Sequence, residues 1–440
     1  MTMPLEHVPW RVQGSIYVTA FFFGPLQTIA TMAAALFVAG LVSFQLPFLI
    51  AFILASRQVL TVCLSVYGGA LMDSFGSRRV IIAFGLLGAA SAMAYPFLPS
   101  AFGAVWGGDN GGDPALWFIV ALVLVQMISG YAEGNCWIGT QALVSQALRG
   151  HPVYAGRMIF IARLGGILGP LLMGPAWDLW GSWGGFGVLS LWIACGAAAA
   201  IFIPRQLGAM AQAAQTATED TTSGTAGENP SATAAPKARG TGFGQTLRLL
   251  LIPAVALVIM LTVLRQAGSG IHTSFYVIWL DKEIGLSGTL IGGLLATANV
   301  ASALSALSTG FCARHFPAHW LLIVTIGMAI LGTAIVPTLG SVYVLLMMAI
   351  CIRGLGQGVN LPMMITVLAQ NVPLGLQGRI TALRVAFNRG GGALVPLAAG
   401  AIAEVVGIGN SFYIIGAAGF IMLAVLAVWV ARSPAFGPAP

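Results

Sequence analysis

ARLGGILGPLLMGPAWDLWG, residues 162–181, returns without a gap as NRGGGALVPLAAGAIAEVVG, residues 388–407. Arg163 falls on Arg389, Gly165 on Gly391, Gly166 on Gly392, Pro170 on Pro396, Gly174 on Gly400 and Gly181 on Gly407. A second pair of stretches repeats in the same way, with Gly130, Glu133, Gly134 and Gln146 matching Gly354, Gln357, Gly358 and Gln370. The chain is therefore a duplicated unit, and its apolar segments say of what kind.

Stretches long enough to cross roughly 30 Å of hydrocarbon recur at 14–40, 46–72, 80–99, 115–146, 157–180, 186–204, 250–280, 288–312, 320–338, 341–370, 380–404 and 410–431. Between the sixth and the seventh lies the one long polar segment, 205–246, a low-complexity run of Ala, Thr, Ser, Gly and Pro that cannot bury a core. The expected fold is an all-α membrane protein of twelve transmembrane helices in two pseudo-symmetric six-helix bundles. Residues 1–204 and 247–440 form the bundles, and 205–246 is a flexible linker. Carriers that work by alternating access are built from such duplicated units, with the solute site between the repeats near the membrane midplane.

Composition agrees. Of 440 residues 58% are hydrophobic and 7% charged, and the mean hydropathy is +0.92. That is too little charge to cover the surface of a soluble protein. The net charge of +7 is spread over helix ends and helix interiors with no basic patch, so nucleic acid is not an expected partner. Cys63, Cys136, Cys195, Cys312 and Cys351 all sit in apolar segments without the spacing of a disulfide framework or metal site. The N-terminal MTMPLEHVPWRVQGS lacks the features of a cleaved secretory signal, so the first helix is expected to be retained.

Orientation follows from the basic residues near helix ends. Arg11, Arg78, Arg79, Arg149, Arg157, Arg205, Lys237, Arg239, Arg248, Arg314, Arg379 and Arg432 fall on one side, and Lys282 on the other. Both termini and the linker are therefore expected in the cytoplasm, with the protein in the inner (plasma) membrane as a monomer contacting lipid.

The turn between the second and third spans reads GALMDSFGSRR, residues 69–79. With Gly69, Leu71, Asp73, Gly76, Arg78 and Arg79, it resembles the loop signature of the major facilitator superfamily, and the resemblance covers the whole chain. In the second half GFCARHFPAHW, 310–320, keeps Gly310 but has Arg314 and Pro317 at the positions of Asp73 and Gly76. Gly165, Gly169, Pro170 and Gly174 resemble the superfamily's antiporter signature, with Met173 replacing one glycine, and RGLGQG at 353–358 resembles its helix 4 signature displaced into helix 10. The resemblance implies a conformational latch at Gly69, Asp73, Gly76, Arg78 and Arg79. It also implies that helices 1, 4, 7 and 10 line a central cavity, that 2, 5, 8 and 11 flank it, and that 3, 6, 9 and 12 face lipid.

Ionisable groups inside the membrane are functional candidates because each is costly unless paired or hydrated. They are Arg57, Glu133, Arg163, Arg265, Arg353, Arg384 and Arg389, and none lies on helix 3, 6, 9 or 12. Six arginines oppose one deep carboxylate, so a positive excess remains to attract an anion. Arginine stays charged and offers a planar fork to carboxylate or phosphate. On helix 7, Arg265, Ser269, His272 and Tyr276 form one polar stripe. Arg265 is the expected main anion contact, with His272 and Tyr276 beside it and Arg353 as second choice. Arg57, Arg163 and Arg389 are further candidates, each equally readable as structural. Arg384 reads as an anchor that reaches toward the headgroups. Asp178 and Glu404, near helix ends, are expected to be met by water or headgroups. Glu133 is the expected carrier of a coupling proton, and the other reading of it is a permanent ion pair with Arg163 or Arg57.

The function these residues support is secondary active, proton-coupled transport of a small organic anion, driven by an ion gradient with no cofactor or metal. No nucleotide-binding loop is present. The alternatives are a proton-driven exporter of drugs or metabolites and a transporter-like membrane sensor. No constellation of catalytic groups supports an enzyme.

Overall fold

The computed structural model describes residues 9–41, 46–101, 116–147, 152–204, 249–371 and 377–436. The expected linker, 205–246, lies outside them. The first pass is α1 (Trp10–Phe23) and α2 (Leu26–Leu41), followed by α3 (Pro47–Phe75), α4 (Ser77–Ala101) and α5 (Leu116–Ala147). The fifth and sixth passes form the single long assignment α6 (Pro152–Ile201). The seventh is α7 (Pro253–Thr273) with α8 (Phe275–Lys282). Passes eight to twelve are α9 (Gly288–His315), α10 (Ala318–Ala334), α11 (Tyr343–Asn371), α12 (Gln377–Val406) and α13 (Ile408–Arg432).

Among the described residues, ten stretches are long and apolar enough to cross a membrane. One of them doubles back inside α6 at Gly181, and the 17-residue α10 is apolar but shorter. The set is consistent with twelve passes. The reversal at Gly181 has φ 58° and ψ −140°, a conformation open to glycine and strained for a residue with a Cβ. Gly407, its partner in the repeat, turns the chain between α12 and α13 at φ 84°. The two glycines match in sequence because both halves make the same tight turn.

Two spans expected to be continuous are broken. The first is interrupted at Gly24–Pro25, where proline has no N–H to continue the helical ladder and its ring crowds the preceding turn. The seventh breaks at Ser274, whose φ of −115° and ψ of −82° leave helical space. Non-helical backbone at membrane depth is tolerated where it lines a cavity or is buried in protein.

The halves meet along three seams. A Cβ on Gly174 would strike the carbonyl of Gly288, and one on Gly292 the carbonyl of Pro170, so α6 and α9 approach backbone to backbone. Gly400 of α12 has the same relation to Ala51 and Pro47 of α3, and α2 packs against α8. All three seams lie toward the membrane face opposite the termini. These contacts hold the halves together on that side, and the cavity lies toward the terminus side.

Asp178 fastens the α6–α9 seam. Its Oδ1 accepts from the Gly288 N–H at 2.6 Å, and its Oδ2 accepts from the Thr289 N–H at 2.8 Å and the Thr289 hydroxyl at 2.5 Å. The carboxylate thereby satisfies free donors at the positive N-terminus of α9. Water and headgroups were the expected partners of Asp178, and a helix of the other half takes their place. Glu404, its equivalent in the repeat, is exposed. At the start of α3, in the register that sets Gly310 on Gly69, Pro47 stands where Gly288 stands in α9 and has no N–H to offer.

Candidate functional site

A cavity of about 340 Å³ lies between the halves, at the small end of the range of roughly 300–1,000 Å³ usual for small-molecule sites. Gly24, Pro25 and Thr28 bring the first helical break onto its wall. Trp137 and Gln141 come from α5, Met158 to Gly166 from α6, Arg265 to Thr273 from α7, Asn299 and Ser302 from α9, Arg353 and Gln357 from α11, and Arg384 and Asn388 from α12. The third, sixth, ninth and twelfth passes contribute none of its lining.

Four guanidiniums, those of Arg163, Arg265, Arg353 and Arg384, reach this wall together with His272, and among the described residues no carboxylate does. Arg265 donates from Nη2 to the Asn388 side-chain oxygen at 2.7 Å, and its Nε is buried without a partner. Arg353 is 6% exposed, and its Nε likewise has no partner. The His272 Nδ1 is a third orphan. Buried polar atoms in folded proteins are almost always satisfied, so three unsatisfied donors or acceptors around one cavity mark a place built for something else. Arg384, read from sequence as an anchor, stands on the wall. The signal for it was present: Asn388 follows one helical turn later, on the same face.

Glu133, Arg57, Arg389 and Tyr276 are absent from the wall. The Arg57 Nη2 and Nε both donate to Glu133 Oε2, at 2.6 and 3.1 Å, and its Nη1 donates to Gln126 at 3.2 Å. The Tyr95 hydroxyl donates to the same Gln126 oxygen at 2.7 Å. Of the two readings of Glu133, the geometry supports the ion pair, and with Arg57 rather than Arg163.

Arg163 and Arg389 behave as a matched pair. Arg163 donates to Asn299 of α9 at 3.5 Å, and Arg389 to Gln58 of α3 at 3.3 Å. Asn299 and Gln58 are themselves equivalent in the register that sets Gly310 on Gly69. Each half thus extends one arginine to a side-chain amide of the other, at the level where the seams give way to the cavity.

At the turn between α3 and α4, Gly76 has φ 82°, and Arg78 donates from Nη2 to the Ile201 carbonyl at 2.7 Å, tying the start of the third pass to the end of the sixth. Arg79 is exposed. Gly69 and Asp73, the other parts of the expected latch, fall within α3, and their surroundings are not among those described.

Tyr276 sits one turn beyond His272, past the break in the seventh pass. Its ring stacks on the imidazole with centroids 4.9 Å apart, and its hydroxyl is fully buried without a hydrogen-bond partner. An unsatisfied buried hydroxyl costs about 1–3 kcal/mol. Tyr276→Phe is therefore expected to stabilise this conformation by about 1 kcal/mol, read as a raised melting temperature in detergent. An unchanged or lowered value would mean that the hydroxyl is satisfied.

The chain is a helical protein with spans long and apolar enough to cross a membrane and a polar cavity between two matching halves. The Major Facilitator Superfamily model matches residues 258–440. No curated protein sequence matches the chain. Among solved structures, the nucleoside transporter NupG aligns at TM-score 0.65 and 12% identity, covering 95% of this chain and 99% of its own. A D-xylose–proton symporter aligns at 0.67 and 16%, covering 96% and 97%. The peptide transporter POT, in complex with sulfate, aligns at 0.66 and 15%, covering 96% and 94%. At these identities the likeness carries the fold and not the cargo. The Major Facilitator Superfamily match lies in the second half of the chain, and the solved structures extend the likeness of fold over both halves.

Proposed function

We propose that this protein is a secondary transporter of the Major Facilitator Superfamily and that it carries a small organic anion by alternating access. The observation that carries the reading is the cavity wall, with four guanidiniums and, among the described residues, no carboxylate. Arginines at close quarters in a space screened from bulk water repel one another, and an anion that accepts their hydrogen bonds relieves that repulsion. Arg353 and Arg265 are the main contacts in this reading. His272 completes the site, and Arg163 and Arg384 set the field around it. Residues 1–204 and 247–440 are the two moving bundles, joined by 205–246.

In this reading the terminus side, where the basic residues gather, is the cytoplasmic side of the inner membrane. The cavity then faces inward. Opening to the outside requires the three seams to part and the Asp178 carboxylate to leave the α9 N-terminus, while the bundles close beneath the Arg163–Asn299 and Arg389–Gln58 level. Glu133 is engaged by Arg57 and stands off the wall, so a proton on it would act through that pair rather than directly on the cargo.

Acetate, succinate, citrate and inorganic phosphate, added to the purified protein, test the reading. At least one is expected to raise the melting temperature in proportion to the logarithm of its concentration, while neutral and cationic lipophiles leave it unchanged. Stabilisation by cationic lipophiles alone would favour the exporter of drugs or metabolites. Anion binding with no flux into vesicles would favour the sensor.

A further inference from the structure

We propose that the carrier is an obligatory anion exchanger, its cavity passing between the two faces only with an anion aboard. The proposal rests on the anion reading of the cavity and concerns what happens when the site is empty. To change sides the cavity must pass through a state closed to both. There the charges on its wall lose the water that now reaches them from the open side. Four guanidiniums enter that state, and among the described residues no wall carboxylate enters with them.

Nothing within the described protein supplies the missing charge. Glu133, the deep carboxylate, lies within the first half and accepts two hydrogen bonds from Arg57. Its equivalent in the second half, Gln357, does reach the wall but is neutral. Asp178 is held on the side of the seams by the start of α9, and Glu404 is exposed near the same side. Asn299 and Asn388, the side chains that meet Arg163 and Arg265, carry no charge. Arginine itself provides no escape. A lysine or histidine can shed its proton when desolvated, but a guanidinium stays protonated. Unpaired charge at membrane depth is among the most costly arrangements a helical protein can adopt.

An anion entering the cavity changes this balance. An oxyanion with two negative charges, whether a dicarboxylate or a phosphate, satisfies the free Nε atoms of Arg265 and Arg353 and halves the net charge that must be enclosed. The loaded site closes readily and the empty one does not. Release on one side therefore leaves a carrier that waits for another anion before it returns, and the uptake of one molecule is tied to the exit of another. The gradient of the counter-anion is the driving force, and no titrating wall carboxylate is needed.

The full-length protein in proteoliposomes distinguishes these cases, in a zwitterionic buffer. Vesicles are loaded with unlabelled succinate or inorganic phosphate, or left without either, and the same labelled anion is supplied outside. Entry into loaded vesicles is expected to exceed entry into empty ones by about tenfold or more, since each 1.4 kcal/mol added to the empty crossing slows it tenfold. An imposed pH gradient should not fill the empty vesicles. Equal entry into loaded and empty vesicles, or filling of empty ones by the pH gradient, would overturn exchange and leave the anion reading standing. If neither anion moves under any condition, the anion reading fails and exchange fails with it.

Discussion

Arg353→Gln is expected to weaken anion binding by about ten- to a hundredfold, because a hydrogen bond to a charged group contributes about 1.5–3 kcal/mol. The fold should be at least as stable without it. Arg353 is buried and its Nε has no protein partner, so its removal strands nothing and takes one like charge out of the cavity. Titration of the variant with the anion that most stabilises the parent, beside a melting curve of the empty protein, separates the two effects. A structural arginine would do the reverse, lowering the melting temperature and leaving affinity nearly intact. That outcome would return Arg265, the first choice from the sequence, to the leading place.

Glu133→Gln is expected to behave in the opposite way. Removing one partner of a buried ion pair leaves the other charge uncompensated, at about 3–5 kcal/mol. The pair here is 2.6 Å long with both side chains under a tenth exposed. Arg57→Gln should lose a similar amount, and the double variant, with two amides facing each other, should recover most of it. Melting curves of the three variants form the cycle. Additive losses in the double variant would mean that the two residues do not act as a pair. Retained anion exchange in the double variant would remove Glu133 from the coupling step as well.

Much of the fold was legible in the residues. Twelve apolar stretches, a polar segment midway and the register of Arg163 on Arg389 specify two matching helical bundles, because in lipid each span must satisfy its own backbone. The broken first pass was missed although Gly24–Pro25 is a turn dipeptide. Its flanks are so apolar that hydropathy alone reads straight through it. Asp178 was sent to water because nothing local to Trp177 or Leu179 indicates that the start of α9 arrives beside it.

The sequence by itself determined the solvent, the duplication and the sign of the interior: six arginines against one acid can be counted without coordinates. Only the tertiary structure decided which of those charges are neutralised. Arg57 and Glu133 are 76 residues apart in the chain and 2.6 Å apart in space, whereas Arg353 and Arg384 reach the cavity with, among the described residues, no acid beside them. Charge is a property of each residue alone, but compensation depends on distance. Distance between helices is set by how glycines such as Gly174 and Gly292 let the two halves meet.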